Sequence, residues 1–87
     1  MVNKIQIPSE VQNFLNSNEF NHTVEIGGGG FTKWEYDVYT KGRISIVPNT
    51  FNGPLSYEVH LNYLTDEWNG GPLFQGSWND VLNFFNF

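Results

Sequence analysis

Apolar and polar side chains alternate along four segments of this chain, which is the pattern of β-strands with one face toward a core. The four segments are residues 22–26, 33–39, 43–47 and 55–63. Turn-forming residues separate them: glycines at 27–30, Lys41-Gly42, and a stretch with two prolines and Asn-Gly at 48–54. Residues 65–76 show no period and are predicted to be an irregular loop. The pattern therefore predicts three to four antiparallel strands, with a hairpin at Lys41-Gly42.

The same alternation assigns side chains to the two faces of the predicted sheet. Trp34, Tyr36 and Val38 share one face of their strand, and this apolar set is predicted to point toward the core. The polar side chains between them are predicted to share an outer face that is open to water, as is common in antiparallel sheets. The carboxylates and the histidine expected on that outer face, which they share with Lys33 and Arg43, are Glu25, Glu35, Asp37, Glu58 and His60.

Two serines mark the expected starts of short helices near the two ends of the chain. Ser9 is followed three residues later by Gln12, and Ser77 by Asp80, which is the spacing of a capping box. Apolar residues then recur with the period of one helix face. They are Val11, Phe14 and Leu15 in the first helix and Trp78, Val81, Leu82 and Phe85 in the second. The chain is thus predicted to be a single α+β domain, residues 1–87, with both helices covering one face of the antiparallel sheet.

Size and charge narrow the classes of function. The 87 residues include no cysteine, so disulfides and thiolate metal sites are excluded. Nine acidic against four basic residues give a net charge of −5, which opposes direct binding to nucleic acid and is compatible with a basic protein partner. No segment has the pattern of a signal peptide or of a membrane span, so a cytoplasmic location is expected. No cofactor is predicted.

No catalytic or metal-binding motif is recognisable. The sequence lacks a nucleophile motif, and no Lys-Ser/Thr pair follows the glycines at 27–30 as a phosphate loop would require. One enzymatic hypothesis is a small hydrolase or nuclease that uses His60 with Glu58 and Asp37. A sheet face exposed to water lacks the desolvation that perturbs the pKa values of such groups. The sequence therefore favours a binding protein with no catalytic or metal-ligating residues.

The loop at 65–76 contains the main candidates for binding. Trp68 and Phe74 fall outside any period, and two acidic residues precede Trp68. The two rings either anchor the loop inward or form an aromatic hot spot with an acidic rim. Together with carboxylates of the predicted outer face, the residues predicted to bind a partner are Asp66, Glu67, Trp68, Phe74, Glu35, Asp37 and Glu58.

A small, acidic, cysteine-free and aromatic-rich chain with a sheet between two helices resembles phage-encoded inhibitors of bacterial defence, such as anti-CRISPR proteins. The resemblance lies in size, charge and order of elements, and no motif carries a functional residue over. It implies a non-enzymatic inhibitor in the host cytoplasm that mimics a local phosphate patch and blocks a basic nucleic-acid-binding site of a defence nuclease. The alternative is a small-ligand or carbohydrate-binding module in which Trp68, Phe74 and Trp34 stack on the ligand.

Overall fold

The computed structural model describes residues 3–28, 31, 33–50 and 53–86. The elements follow one another as β1 (Asn3–Lys4), α1 (Ser9–Ser17), β2 (Asn21–Gly27), β3 (Trp34–Lys41), β4 (Ile44–Asn49), β5 (Ser56–Leu61), β6 (Phe74–Gly76) and α2 (Trp78–Phe85). The predicted α+β class is confirmed, with one helix near the N-terminus and one at the C-terminal end of the order of elements. Residues 29, 30, 51 and 52 of the two predicted loops lie outside the described residues. Over the ranges described, neither helix has the length and apolarity to cross a membrane.

The strands form one mixed sheet that is mostly antiparallel. Its order is β1-β3-β4-β5-β6, with β2 as an additional partner of β3. β2 pairs along the whole of one edge of β3, and β1 and β4 share the opposite edge. β1 runs parallel to β3, whereas the other strand pairs are antiparallel. The sequence pattern does not reveal β1 and β6, because strands of two and three residues are too short to show a period. β4 also extends through Pro48, where a turn was predicted, since this part of the strand still pairs with β5.

Both helices pack on one face of the sheet and bury the core there, as predicted. Val11 of α1 and Val81 of α2 lie in the same buried cluster as Val59 of β5. Burying an aliphatic side chain of this size contributes roughly 1.5–3 kcal/mol. Phe14 of α1 and Trp78 of α2 contact each other edge to face, with ring centroids 5.5 Å apart. The apolar stripes of the two helices therefore meet above the centre of the sheet.

The two predicted helix starts have different outcomes. The Ser77 hydroxyl accepts a hydrogen bond from the Asp80 amide at 3.2 Å, and the Asp80 carboxylate accepts one from the Ser77 amide at 3.0 Å. The capping box of α2 is therefore confirmed. At α1 the N-cap is Pro8, and no side chain caps the helix. The prediction for Ser9 is wrong because the chain enters the helix one residue earlier, and Gln12 reaches back to a backbone carbonyl instead.

The predicted orientation of β3 is also wrong. Tyr39 belongs to the core beneath the helices. Because side chains alternate along a strand, Trp34, Tyr36 and Val38 lie on the opposite face of the sheet. The alternation correctly indicates which side chains share a face, but it does not indicate which face the helices cover.

Asp37 and Glu35 lie on the helix side of β3 and not on an outer face with Glu58. Asp37 is only 5% exposed. Its carboxylate makes a 2.7 Å hydrogen bond with Nε2 of His22 and lies 3.9 Å from the Lys4 ammonium group, which is also 3.5 Å from Glu35. This buried carboxylate is accommodated because two polar partners replace the water that it loses.

Candidate ligand-binding cleft

A cleft opens where the sheet divides between β3 and β4. Pairing between these two strands covers only residues 39–41 and 44–46. Beyond that point β3 pairs with β1, whereas β4 stays with β5 as far as Asn49. Pro48 lies in the diverging part of β4, and the lack of an N–H on proline fits the end of the pairing with β3. The two halves of the sheet therefore separate and leave space between them.

The cleft has a volume of about 700 Å³, within the range of roughly 300–1,000 Å³ that is usual for small-molecule sites. Three aromatic and three polar side chains give the lining most of its chemistry. They are Trp34, Tyr36, Tyr63, Asn49, Thr50 and Glu58. The backbone of Gly27 and Gly28 forms part of the wall. A Cβ atom on Gly27 would lie 3.2 Å from the Tyr36 ring, so the small residue leaves room for the ring beside it.

The aromatic wall is held by a hydrogen bond between two tyrosines. The hydroxyl oxygens of Tyr36 and Tyr63 are 3.0 Å apart. Burial raises the pKa of Tyr63, and the hydrogen bond to Tyr36 and the negative charges of Glu58 and Glu25 raise it further. Tyr63 therefore stays protonated at neutral pH. Trp34 is 39% exposed, so part of its indole is available to a ligand.

The Glu58 carboxylate is fixed by a chain of hydrogen bonds. Its Oε2 accepts from Nδ2 of Asn49 at 2.6 Å, and its Oε1 lies 2.8 Å from Nε2 of His60. Nδ1 of His60 accepts from the Trp68 indole at 3.2 Å. Because an indole N–H can only donate, Nδ1 must be unprotonated, and the ring proton is on Nε2, where it donates to Glu58. The geometry thus describes a neutral histidine beside an ionised carboxylate.

Residues 62–68, here named the covering segment, fold over the sheet face that is opposite the helices. Asn62 and Leu64 have positive φ angles of 57° and 61°, which turn the chain back after β5. The rings of Trp68 and His60 then meet edge to face, with centroids 5.6 Å apart. His60 is only 2% exposed as a result. The prediction of a water-exposed outer face is wrong here, because the covering segment excludes water from it.

The residues predicted to bind a partner occupy separate parts of the molecule. Asp66 and Glu67 are exposed in the covering segment, Glu35 and Asp37 lie on the helix side of the sheet, and Glu58 lines the cleft. Glu67 is also 3.5 Å from Arg43, and both side chains are exposed. The structure therefore brings only one of the predicted carboxylates into the cleft.

The two aromatic residues of the predicted loop both turn inward. Trp68 bonds to His60 as described, and Phe74 lies in β6, where it packs against the core and stacks on Phe84 at 4.8 Å. Sequence reasoning missed Tyr63 and Asn49 as site residues. Tyr63 ends a predicted strand and Asn49 lies in the turn predicted after another, and binding residues often lie in such connections.

The hypothesis of a hydrolase built from His60, Glu58 and Asp37 does not match the geometry. Asp37 lies on the other face of the sheet, and both ring nitrogens of His60 are already engaged. Among the residues whose structure is described, no group of three or more His, Asp or Glu side chains could hold a metal ion.

Comparisons with protein-family models, with curated protein sequences and with solved structures find no match to this chain.

Proposed function

We propose that this chain is a non-enzymatic binding domain that holds a small organic ligand in the cleft between β3 and β4. The observation that carries this proposal is a cleft of about 700 Å³ that combines three aromatic side chains with a carboxylate fixed by two hydrogen bonds. Small-molecule sites typically combine apolar walls with a few oriented polar groups. The ligand-binding alternative from the sequence is thus favoured, with Trp34 retained and with Tyr36 and Tyr63 in place of Trp68 and Phe74.

The chemistry of the lining supports binding more than catalysis. Glu58 is the only acidic or basic side chain in the described lining. The described lining contains no histidine, lysine or cysteine that could act beside it in acid–base or nucleophilic catalysis. His60 does not serve, because Trp68 and Glu58 occupy its two ring nitrogens. The fixed carboxylate therefore acts as a hydrogen-bond acceptor that orients the ligand.

A titration followed by NMR tests the proposal. Isotope-labelled protein is titrated with a panel of neutral sugars, neutral ring compounds and small organic ions, and the shifted amides are mapped. We expect binders to shift Gly27, Gly28 and Thr50 at the cleft. Trp34→Ala should weaken binding by about tenfold, the effect of losing roughly 1–1.5 kcal/mol of ring contact.

The matched control is Leu73→Ala, which removes an exposed apolar side chain outside the cleft lining. This variant should bind as the parent does. Binders that shift only surfaces away from the cleft, or that bind equally well to Trp34→Ala, would contradict the proposal.

The hypothesis of an acidic inhibitor with a basic protein partner stays a prediction. Its weakest point is the distribution of its carboxylates, since Glu35 and Asp37 contact Lys4 on the helix side, away from Asp66 and Glu67. A basic protein partner would therefore have to bind mainly to Asp66 and Glu67 in the covering segment. A pull-down from bacterial lysate, with Asp66→Lys/Glu67→Lys as the matched negative bait, tests this separately.

A further inference from the structure

We propose that the ligand of the cleft is an organic cation, a guanidinium or an alkylammonium group, that pairs with Glu58. This inference rests on the proposed function and adds the chemical class of the ligand. The cleft has one formal negative charge in its lining and no lysine, arginine or histidine there, over the residues described. Glu25 lies directly across from Tyr36 in the β2–β3 pair, and its charge acts on Tyr63. Both of these formal charges are negative, which favours a cationic ligand over an anionic one.

Three of the four lysine and arginine side chains are held away from the cleft, and the fourth, Lys33, is exposed and is not part of the described lining. Lys4 contacts Glu35 and Asp37 on the helix side of the sheet. Lys41 donates to the backbone carbonyl of Asn18, and Arg43 contacts Glu67 and Asn62. None of these three basic side chains lines the cleft. A cationic ligand thus has no competitor at Glu58 from these residues.

Glu58 has the geometry of an anion without a counter-ion. Its side chain is 19% exposed, and its two hydrogen-bond partners, Asn49 and the neutral form of His60, bring no positive charge. A partly buried charge is costly unless it is paired. A carboxylate offers about four lone-pair positions, so two bonds leave capacity for a further donor. A cationic donor would satisfy both the charge and this remaining capacity.

The aromatic residues around Glu58 favour the same class of ligand. The faces of indole and phenol rings carry negative potential and attract cations, and guanidinium groups also stack on them. Trp34, Tyr36 and Tyr63 all line the cleft that contains Glu58. A neutral sugar could also stack on these rings, but it would leave the carboxylate charge uncompensated. The combination of rings and an unpaired carboxylate therefore distinguishes a cation from a neutral ligand.

The decisive experiment compares a cation with its neutral isostere. The parent protein is titrated at low salt with butylguanidinium and with butylurea, followed by NMR. We expect butylguanidinium to shift the cleft amides and to bind at least about tenfold more tightly, the usual effect of one charge-assisted hydrogen bond. A second arm presents the same pair of groups within a capped Gly-Arg-Gly peptide and its citrulline analogue. Stronger binding of either cation than of its isostere supports the proposal and assigns the source as a free molecule or a peptide.

Two variants test the role of the carboxylate. Glu58→Gln should reduce the preference for the cation by about tenfold, whereas Glu10→Gln, the same change on the exposed first turn of α1, should leave it unchanged. If Glu58→Gln does not fold, the comparison of butylguanidinium with butylurea on the parent protein tests the proposal by itself.

The possible failures are distinct. Equal binding of the cation and its isostere, or binding of neutral sugars alone at the cleft, refutes the inference that the ligand is a cation. The proposed function as a ligand-binding domain would still stand. If no probe, neutral or charged, shifts the cleft amides, both the cation and the proposed function are wrong.

Discussion

Trp68→Phe tests whether the covering segment holds His60 and Glu58 in place. The substitution keeps an aromatic ring at this position but removes the indole N–H that donates to Nδ1 of His60 at 3.2 Å. His60 is 2% exposed, so water cannot easily replace the donor. Leaving a buried acceptor unsatisfied costs about 1–3 kcal/mol. Moving the ring proton to Nδ1 gives no relief, because Nε2 would then have no proton to donate to Glu58.

The assay for this prediction is urea unfolding together with the imidazole nitrogen spectrum. With an m-value near the lower end of the usual range of about 1–3 kcal/mol/M, the midpoint should fall by roughly 1 M or more. The parent protein should show His60 with its proton on Nε2, and the variant should lose this single form. Glu67→Gln is the control, because its exposed ion pair with Arg43 should change stability by less than about 0.5 kcal/mol. Unchanged stability and an unchanged imidazole spectrum in Trp68→Phe would refute the hydrogen-bond chain.

The helix cap at Ser77, the partly buried hydroxyl of Tyr63 and the acidic pair Asp66 and Glu67 can each be tested by substitution. Ser77→Ala should lower the free energy of unfolding by about 1 kcal/mol, and Ser9→Ala by clearly less, because only Ser77 caps a helix; urea unfolding measures both. The pKa of Tyr63 is higher in the folded protein than the value of about 10 expected in the unfolded chain. The stability that this difference provides is fully present below the unfolded pKa and is lost as the pH rises toward the folded pKa. Tyr63→Phe should therefore reduce the fall of the melting temperature in alkaline solution. If the protein has a basic partner, Asp66→Lys/Glu67→Lys should slow association at low salt, and a rate that is the same at low and high salt would contradict electrostatic steering.

The sequence predicts most of the local elements because local rules determine them, although the capping box expected at Ser9 is an exception. The capping box at Ser77 and the alternation along β3 and β5 depend on residues close together in the chain, and the structure confirms them. The face assignment of Trp34 and Tyr36 fails because it depends on which side of the sheet the helices pack. Both sides of this sheet are partly covered, so apolar character alone does not distinguish them.

The cleft itself could not be predicted from periodicity. Its lining comes from the end of β2, from β3, β4, β5 and the covering segment, and from Ile5 after β1. These parts meet because β3 changes its pairing partner from β4 to β1. β1 has two residues and no detectable pattern. Glu58 was named as a candidate from its polar position, but Asn49 and Tyr63 become site residues only through this change of strand pairing.

The covering segment links stability to binding without lining most of the cleft. Trp68 does not line the cleft, yet it fixes the proton of His60, which in turn orients Glu58. A carboxylate already held by two hydrogen bonds loses little side-chain freedom when a ligand arrives, so more of the contact energy appears as affinity. Weakening the hydrogen bonds that run from Trp68 through His60 to Glu58 should therefore reduce affinity for the ligand even at temperatures where the fold is intact. Such a remote effect would distinguish a preorganised site from a carboxylate that only happens to face a cleft.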